Sequence, residues 1–158
     1  MPSSCGFTLA AHEWQRLEAR LRSAPMMVLP LPVPRSAGAD TDGAFVTFVA
    51  QAQPPQHVLF TPVAEYQQHG AAAPPQALAT IYRELQSEKE VVLGRVDVTG
   101  GAVLTKAAAA ALMQRLVDLY MVDEGFAQAR AFNARPQAFE FDAVLQFFGH
   151  DASINAAA

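Results

Sequence analysis

The feature that most constrains the fold is a series of β-rich runs joined by short connections. Four such runs cover residues 45–50, 57–61, 77–83 and 91–98, and a shorter apolar run at 26–29 precedes them. Short connections join antiparallel neighbours, because parallel strands need long crossovers. The prolines that follow residue 29 predict that the first run is an edge strand or ends early. The sequence therefore predicts an antiparallel β-sheet of about five strands.

Helical patterns flank the predicted strands. Residues 8–22, 106–120 and 142–148 carry apolar residues at helical spacing with polar residues opposite. Thr105 and Asp142 are the residue types that cap helix N-termini. A shorter helix around residues 126–132 precedes Pro136. We therefore predict an α+β fold with the helices packed mainly on one face, so that the other sheet face and its edge are the natural docking surface.

The composition narrows the classes of function. The 158 residues fit one domain, with 51% of them apolar and 16% charged. A net charge of −4 argues against a nucleic-acid partner, and no apolar run reaches a membrane-spanning length. So few charges indicate exposed apolar surface of the kind that binds partners. The alternative is that alanine-rich helices raise the apolar count.

The chain divides into three predicted segments. Residues 1–25 are an N-terminal amphipathic helix segment, residues 26–150 a single α+β domain, and residues 151–158 a disordered tail. Arginines and serines near the start faintly resemble a transit peptide, but Glu13 and Glu18 do not fit one, and any transit peptide is expected to have been removed. A polar loop at 36–43 includes a run like the start of a calcium loop, which lacks the closing glutamate.

No pattern of catalytic or metal-binding residues stands out. The four histidines lack metal-ligand spacing, the single cysteine rules out an internal disulfide, and no serine lies in a nucleophile elbow. We therefore predict no catalysis, no metal and no cofactor. The alternative is a small ligand-binding or hydrolase-like α+β domain, in which His57, Tyr82 and Glu84 would converge on an apolar pocket.

Two blocks of residues resemble a known family over about residues 44–150. The first block lies within residues 60–93 and the second within 132–139, and both agree with the family in order. The matching residues are Phe60, Thr61, Tyr66, Gln67, His69, Gly70, Ala72, Ala73, Pro74, Gln76, Tyr82, Glu84, Leu85, Glu88, Lys89, Val92, Leu93, Phe132, Asn133, Arg135, Pro136 and Phe139. In this order they resemble the mitochondrial ATP synthase assembly factor that chaperones the F1-sector β subunit. Ala71 and Pro75 depart from the family pattern.

The resemblance implies a monomeric chaperone of the mitochondrial matrix. It would transiently bind the free catalytic β subunit and prevent its aggregation until the α/β hexamer forms. The partner-binding residues would be Tyr66, His69, Val92, Leu93, Arg135 and Phe139. We expect aspartate at Val92 or Leu93 to abolish binding without unfolding. Tyr66 and Arg135 also fit structural roles, and a structural subunit of a large complex is a further alternative.

Overall fold

A single antiparallel sheet organises the part of the chain that the structure describes. This computed structural model describes residues 4–32, 45–54, 56–99 and 104–150, and within them the sheet has six strands. The strands are β1 (Ser4–Ala10), β2 (Met26–Pro32), β3 (Phe45–Gln53), β4 (His57–Pro62), β5 (Ala77–Tyr82) and β6 (Val91–Val98). Their order across the sheet is β1-β6-β5-β4-β3-β2. The predicted antiparallel sheet is therefore confirmed, and the proline-rich strand β2 lies at one edge of it.

The N-terminal strand is the main difference from the prediction. Residues 8–10 were expected to begin a helix, but Thr8, Leu9 and Ala10 pair with Leu93, Val92 and Val91 of β6. Helix α1 (Ala11–Ser23) starts only where the ladder ends. The expected number of strands is thus too low by one, because a pairing with a strand far along the chain overrides the local helical pattern.

Five further α-helices follow within the described residues, and the last three of them begin and end close to the predicted positions. The five are α2 (Val63–His69), α3 (Gln86–Lys89), α4 (Lys106–Met121), α5 (Asp123–Ala134) and α6 (Phe141–Phe147). The hydroxyl of Thr105 accepts a hydrogen bond from the backbone N–H of Ala108, which confirms the predicted cap of α4. Asp142 is not a cap, because α6 begins one residue earlier and Asp142 lies in its first turn.

One face of the sheet forms the core with α1, α4 and α5. Trp14, Leu17 and Leu21 of α1 are buried there, as are alternate residues of the strands. The strand residues are Met27, Leu29, Leu31, Phe48, Ala50, Ala52, Val58, Phe60, Ala77, Ala79, Ile81, Val92 and Val96. The period of two places all of these side chains on one face, which we call the inner face. Residues 4–24 therefore contribute to the same core as the rest of the sheet.

The opposite, outer face has a partial cover. Val49 and Thr61 pair across β3 and β4 and are buried, yet Val49 lies outside the main core cluster. Helix α2 follows β4 directly and packs against both β3 and β4. We infer that α2 covers this part of the outer face. Within the described residues, α2 packs less closely on β5 and β6.

Side chains close most of the free edge of β2. Asn133 of α5 accepts a hydrogen bond from the N–H of Met26 and donates one to its carbonyl. Arg115 of α4 donates to the carbonyl of Pro30, and neither Pro30 nor Pro32 has an N–H to offer. The β2 edge is therefore largely unable to accept another strand, which is a common protection against edge-to-edge pairing.

Three features from the sequence lie outside the described residues. They are the polar loop at 36–43 with its calcium-like run, the glycine pair at 100–101, and the tail at 151–158.

Candidate protein-interaction surface

Apolar side chains point away from the core on the outer face of β4, β5 and β6. Leu59 pairs with Leu78, and Tyr82 pairs with Leu93, so these side chains form two cross-strand pairs on one face. None of them belongs to the core cluster or packs against it. We call these four residues the outer-face patch. Leu93 is the most exposed at 39%, and the other three are half-buried.

Polar groups lie between the two pairs of the outer-face patch, because Thr80 of β5 pairs with Arg95 of β6 at the position between them. Arg95 donates from Nε to Asp97 Oδ2 at 2.9 Å, and its guanidinium carbon lies 5.9 Å from the centre of the Tyr82 ring. Arg95 is half-exposed, so the ion pair contributes little to stability. The outer face of β4, β5 and β6 therefore mixes apolar and polar side chains, as protein interfaces commonly do.

Val92 and Leu93 differ in orientation although they are adjacent. Val92 is fully buried at 0% exposure and belongs to the core, whereas Leu93 belongs to the outer-face patch. The expectation that aspartate at Val92 would leave the fold intact is wrong, because a carboxylate there would be buried among apolar side chains. Of this pair, only Leu93 is placed where a partner could reach it.

Tyr66 and His69 lie on α2, the short helix that covers β3 and β4. Tyr66 is half-buried, and its carbonyl accepts the N–H of Gly70, which ends the helix in the left-handed region at a φ of 58°. His69 is exposed in the last turn. Both residues are therefore accessible on the same side of the sheet as the outer-face patch.

Arg135 and Phe139 lie in a separate region after α5. Arg135 is exposed, and Phe139 is half-buried with its ring edge-on to Phe132 at a centroid distance of 5.0 Å. This region adjoins β2 through Asn133, whereas Leu93 lies on β6. Four strand spacings separate β2 from β6, or about 19 Å. The predicted partner-binding residues therefore do not form one contiguous patch.

Three members of the outer-face patch were not among the predicted partner-binding residues. Leu59, Leu78 and Tyr82 each alternate with core residues along their strands, and this alternation is visible in the sequence. The alternation does not reveal which of the two faces the helices cover.

The cavities do not match the alternative of a shared ligand pocket. His57 lines a cavity of about 10 Å³ with Trp14 and Leu21, while Tyr82 and Glu84 are not part of its wall. A wide groove of about 600 Å³ near the start of α1 is lined mainly by polar and charged side chains, among them Arg83 and Glu90. Within the described residues, no group of three His, Cys, Asp or Glu side chains could hold a metal ion. None of the described helices is both long and apolar enough to span a membrane.

Within the described residues, α1, α4 and α5 pack on one face of the sheet, and apolar side chains outside the core lie on the other face beside α2, which is an arrangement suited to binding a protein partner. The chain belongs to the ATP11 protein family, whose sequence model matches residues 2–145. This is the family of mitochondrial assembly factors for the F1 ATP synthase, and its members act as assembly chaperones. No individual curated protein sequence matches the chain significantly.

Proposed function

We propose that this protein is a chaperone that binds the free catalytic β subunit of the F1 sector in the mitochondrial matrix. It acts as a monomer, prevents aggregation of the β subunit and leaves when the α/β hexamer forms. The observation that carries the proposal is the outer-face patch. Its four apolar side chains take no part in the core, and in this family they are suited to a partner in ATP synthase assembly.

The contact surface centres on Leu93. Its neighbours across the sheet are Tyr82 on one side and Thr8 on the other, so a partner there meets apolar and polar groups together. Tyr66 and His69 extend this surface over α2. Arg135 and Phe139 take part only if the client also reaches the β2 side of the molecule. Val92 has no direct role.

A chaperone of this kind works by mass action. Binding of the folded or partly folded client divides the population of aggregation-prone free client by one plus the ratio of chaperone concentration to Kd. Such a mechanism requires no nucleotide and no covalent chemistry. It requires an affinity low enough for the α subunit to displace the chaperone, and a small surface of mixed apolar and polar side chains fits that requirement.

The test is co-expression of the chain with an ATP synthase β subunit, followed by size-exclusion chromatography. We expect soluble β subunit in a 1:1 complex, and no such complex with the α subunit. We expect Leu93→Asp to reduce the recovered complex at least about tenfold, which corresponds to about 1.4 kcal/mol of binding free energy.

The matched control is Ala111→Asp, which adds the same charge at an exposed position of α4 in the helical layer. It is expected to leave the complex intact. The proposal is wrong if the β subunit precipitates with the wild-type chain, or if both variants bind it equally. Thermal unfolding of each variant establishes that a loss of binding is not a loss of fold.

A further inference from the structure

We propose that the free edge of β1 accepts an extended segment of a client polypeptide as an additional antiparallel or parallel strand. This inference rests on the proposed function in one point, the identity of the segment: it would come from a client chain whose strands are not yet paired. The recognition itself follows from three features of β1: the direction of its backbone groups, an adjacent apolar cavity and the contrast with β2.

The register of β1 defines which backbone groups point outward. The N–H of Ala11 donates to the carbonyl of Glu90, which lies directly opposite, so Ala11 and Glu90 form a hydrogen-bonded position at the end of the ladder. In an antiparallel ladder, hydrogen-bonded pairs alternate with pairs whose N–H and C=O point away. Leu9, Phe7 and Cys5 therefore bond to β6, whereas Thr8 and Gly6 direct their backbone groups away from the sheet.

Contacts at the end of β1 agree with this alternation. The N–H of Ala10, which should also point outward, donates to the carboxylate of Glu13 at 3.1 Å instead of to β6. Within the described residues, one hydrogen-bond contact is found to the outward backbone groups of Gly6 and Thr8. It joins the Cys5 thiol to the Gly6 carbonyl at 3.9 Å. A thiol is a weak donor at that distance. The edge from Gly6 to Thr8 therefore offers backbone donors and acceptors to a partner strand.

An apolar cavity lies beside this edge. It has a volume of about 50 Å³ and is lined by Phe7 and Leu9 of β1 and by Ala110, Met113 and Val117 of α4. The exposed residues Gly6 and Gln114 also line the cavity, so it reaches the surface. Side chains of an added strand would point alternately towards this cavity and towards the outer face. The edge therefore favours a segment with small apolar residues at every second position.

The two outer strands of the sheet, β1 and β2, differ in how far their free edges are closed to a further strand. Asn133, Arg115 and two prolines block β2, and Val28 lies between blocked positions. β1 contains no proline and no charged residue. Natural sheets usually protect such an edge. Within the described residues, no comparable contact closes β1 from Gly6 to Thr8, so this is the edge at which a strand can be added.

A second copy of this chain is a poorer occupant than a client segment. Antiparallel pairing of β1 with itself would bring the inward side chains of the second β1 towards the cavity. Those side chains are already engaged, because Phe7 lies over Gly94 so closely that a Cβ there would be 2.0 Å from its Cζ. The cavity would remain unfilled.

The experiment uses the full chain labelled with ¹⁵N and a synthetic peptide of alternating valine and threonine flanked by lysines. We expect the amide signals of Gly6 and Thr8 to shift on titration and to become protected from hydrogen exchange. Thr8→Pro removes an outward N–H without removing a ladder hydrogen bond, and we expect it to weaken peptide binding about tenfold. Thr8→Val keeps the N–H and is expected to bind as the wild type does.

A second pair of variants tests the cavity. Ala110→Leu fills the cavity and should also weaken peptide binding, whereas Ala111→Leu adds the same atoms at an exposed position of α4. The proposal is overturned if the peptide does not bind, or if Thr8→Pro and Ala110→Leu bind it like the wild type. A wild-type dimer that Thr8→Pro converts to a monomer would overturn it in favour of a second copy.

The outcomes separate this inference from the proposed function. If the peptide binds at β1 but no β subunit co-elutes, strand addition stands and the proposed client is wrong. If the β subunit co-elutes equally with the wild type and with Thr8→Pro, the client stands and strand addition at β1 is wrong.

Discussion

At the scale of single residues, the orientation of neighbouring side chains decides which residues are available to a partner. The family motif contains Val92 and Leu93 side by side, and the sequence could not distinguish their roles. A shift of one residue in register exchanges the two faces of a strand. The pairing in the folded sheet distinguishes them. Val92 lies opposite Leu9 and faces the core, whereas Leu93 lies between Thr8 and Tyr82 on the outer face.

Alanine at these two positions should have unequal effects on stability. Val92→Ala removes buried methyl groups and leaves a cavity, so we expect a loss of about 2 kcal/mol in the free energy of unfolding. Leu93→Ala changes a largely accessible side chain, and we expect a change of less than about 1 kcal/mol. Urea denaturation measures both, and equal losses would contradict the assigned faces.

His150 should make stability depend on pH. Burial and the nearby Arg115 guanidinium lower the pKa of His150 below its ordinary 6.5, and Arg115 Nη1 lies 2.9 Å from its Nε2. The unfolded chain therefore binds a proton more readily than the folded one as pH falls below 6.5. The contribution of His150 is fully present above that pH and is lost as the pH falls towards the folded-state value.

We accordingly expect the Tm to fall between about pH 7 and pH 5, and to fall less steeply in His150→Gln. His12→Gln makes the same change at an exposed position of α1 and should keep the wild-type slope. Identical slopes for all three proteins would show that His150 does not titrate as the contacts indicate.

At the scale of secondary-structure elements, local patterns predicted most boundaries and long-range pairing decided the rest. Strand β6 has the predicted bounds, and α4 begins after the predicted Thr105 cap. β1 was missed because its first residues pair with a strand much later in the chain. The hydrogen bond from the Met26 N–H to the Asn133 side chain was missed for the same reason, since α5 and β2 are far apart in sequence.

Two glycines at element contacts should respond differently to alanine. At Gly94 the added Cβ would meet the Phe7 ring, which is a side chain and can move. At Gly125, in the first turn of α5, it would lie 2.3 Å from the backbone carbonyl oxygen of Leu119, which cannot move without shifting α4. We expect losses of about 1–3 kcal/mol for Gly94→Ala and a larger loss for Gly125→Ala.

A double variant provides the check. Phe7→Leu shortens the side chain over Gly94, so the effect of Gly94→Ala should be smaller in that background, and the difference should appear as a coupling energy in a double-mutant cycle. Phe7→Leu should not relieve Gly125→Ala. Purely additive effects at Phe7 and Gly94 would mean that the ring does not limit the space there.

At the scale of the whole molecule, α1 connects the two sides of the sheet. It follows β1, precedes β2 at the opposite end of the strand order, and packs on α4 between them. Tyr120 of α4 donates its hydroxyl to the carbonyl of Ala24, which follows α1, at 2.6 Å. The α+β class and the helical face were predicted correctly, but the connection between the two outer strands requires the topology.

This connection predicts a single cooperative unfolding transition. The chain has one tryptophan, Trp14, and its side chain is 3% exposed in the core. We expect its fluorescence and the far-UV circular dichroism to report the same midpoint and the same slope in urea. Separate transitions would show that α1 leaves the sheet before the sheet itself unfolds. Trp14→Phe tests whether the circular dichroism transition depends on the reporter.

The position of β1 beside β6 also sets an order in time. Each strand from β2 to β6 pairs with the strand next to it in the chain, over connections of at most 14 residues, whereas residues 11–90 separate β1 from β6. β1 must wait until β6 exists, and that closure carries the larger entropic cost. During this interval the side of β6 that β1 will occupy is open. The earliest strand of this chain is therefore the last to find its neighbour.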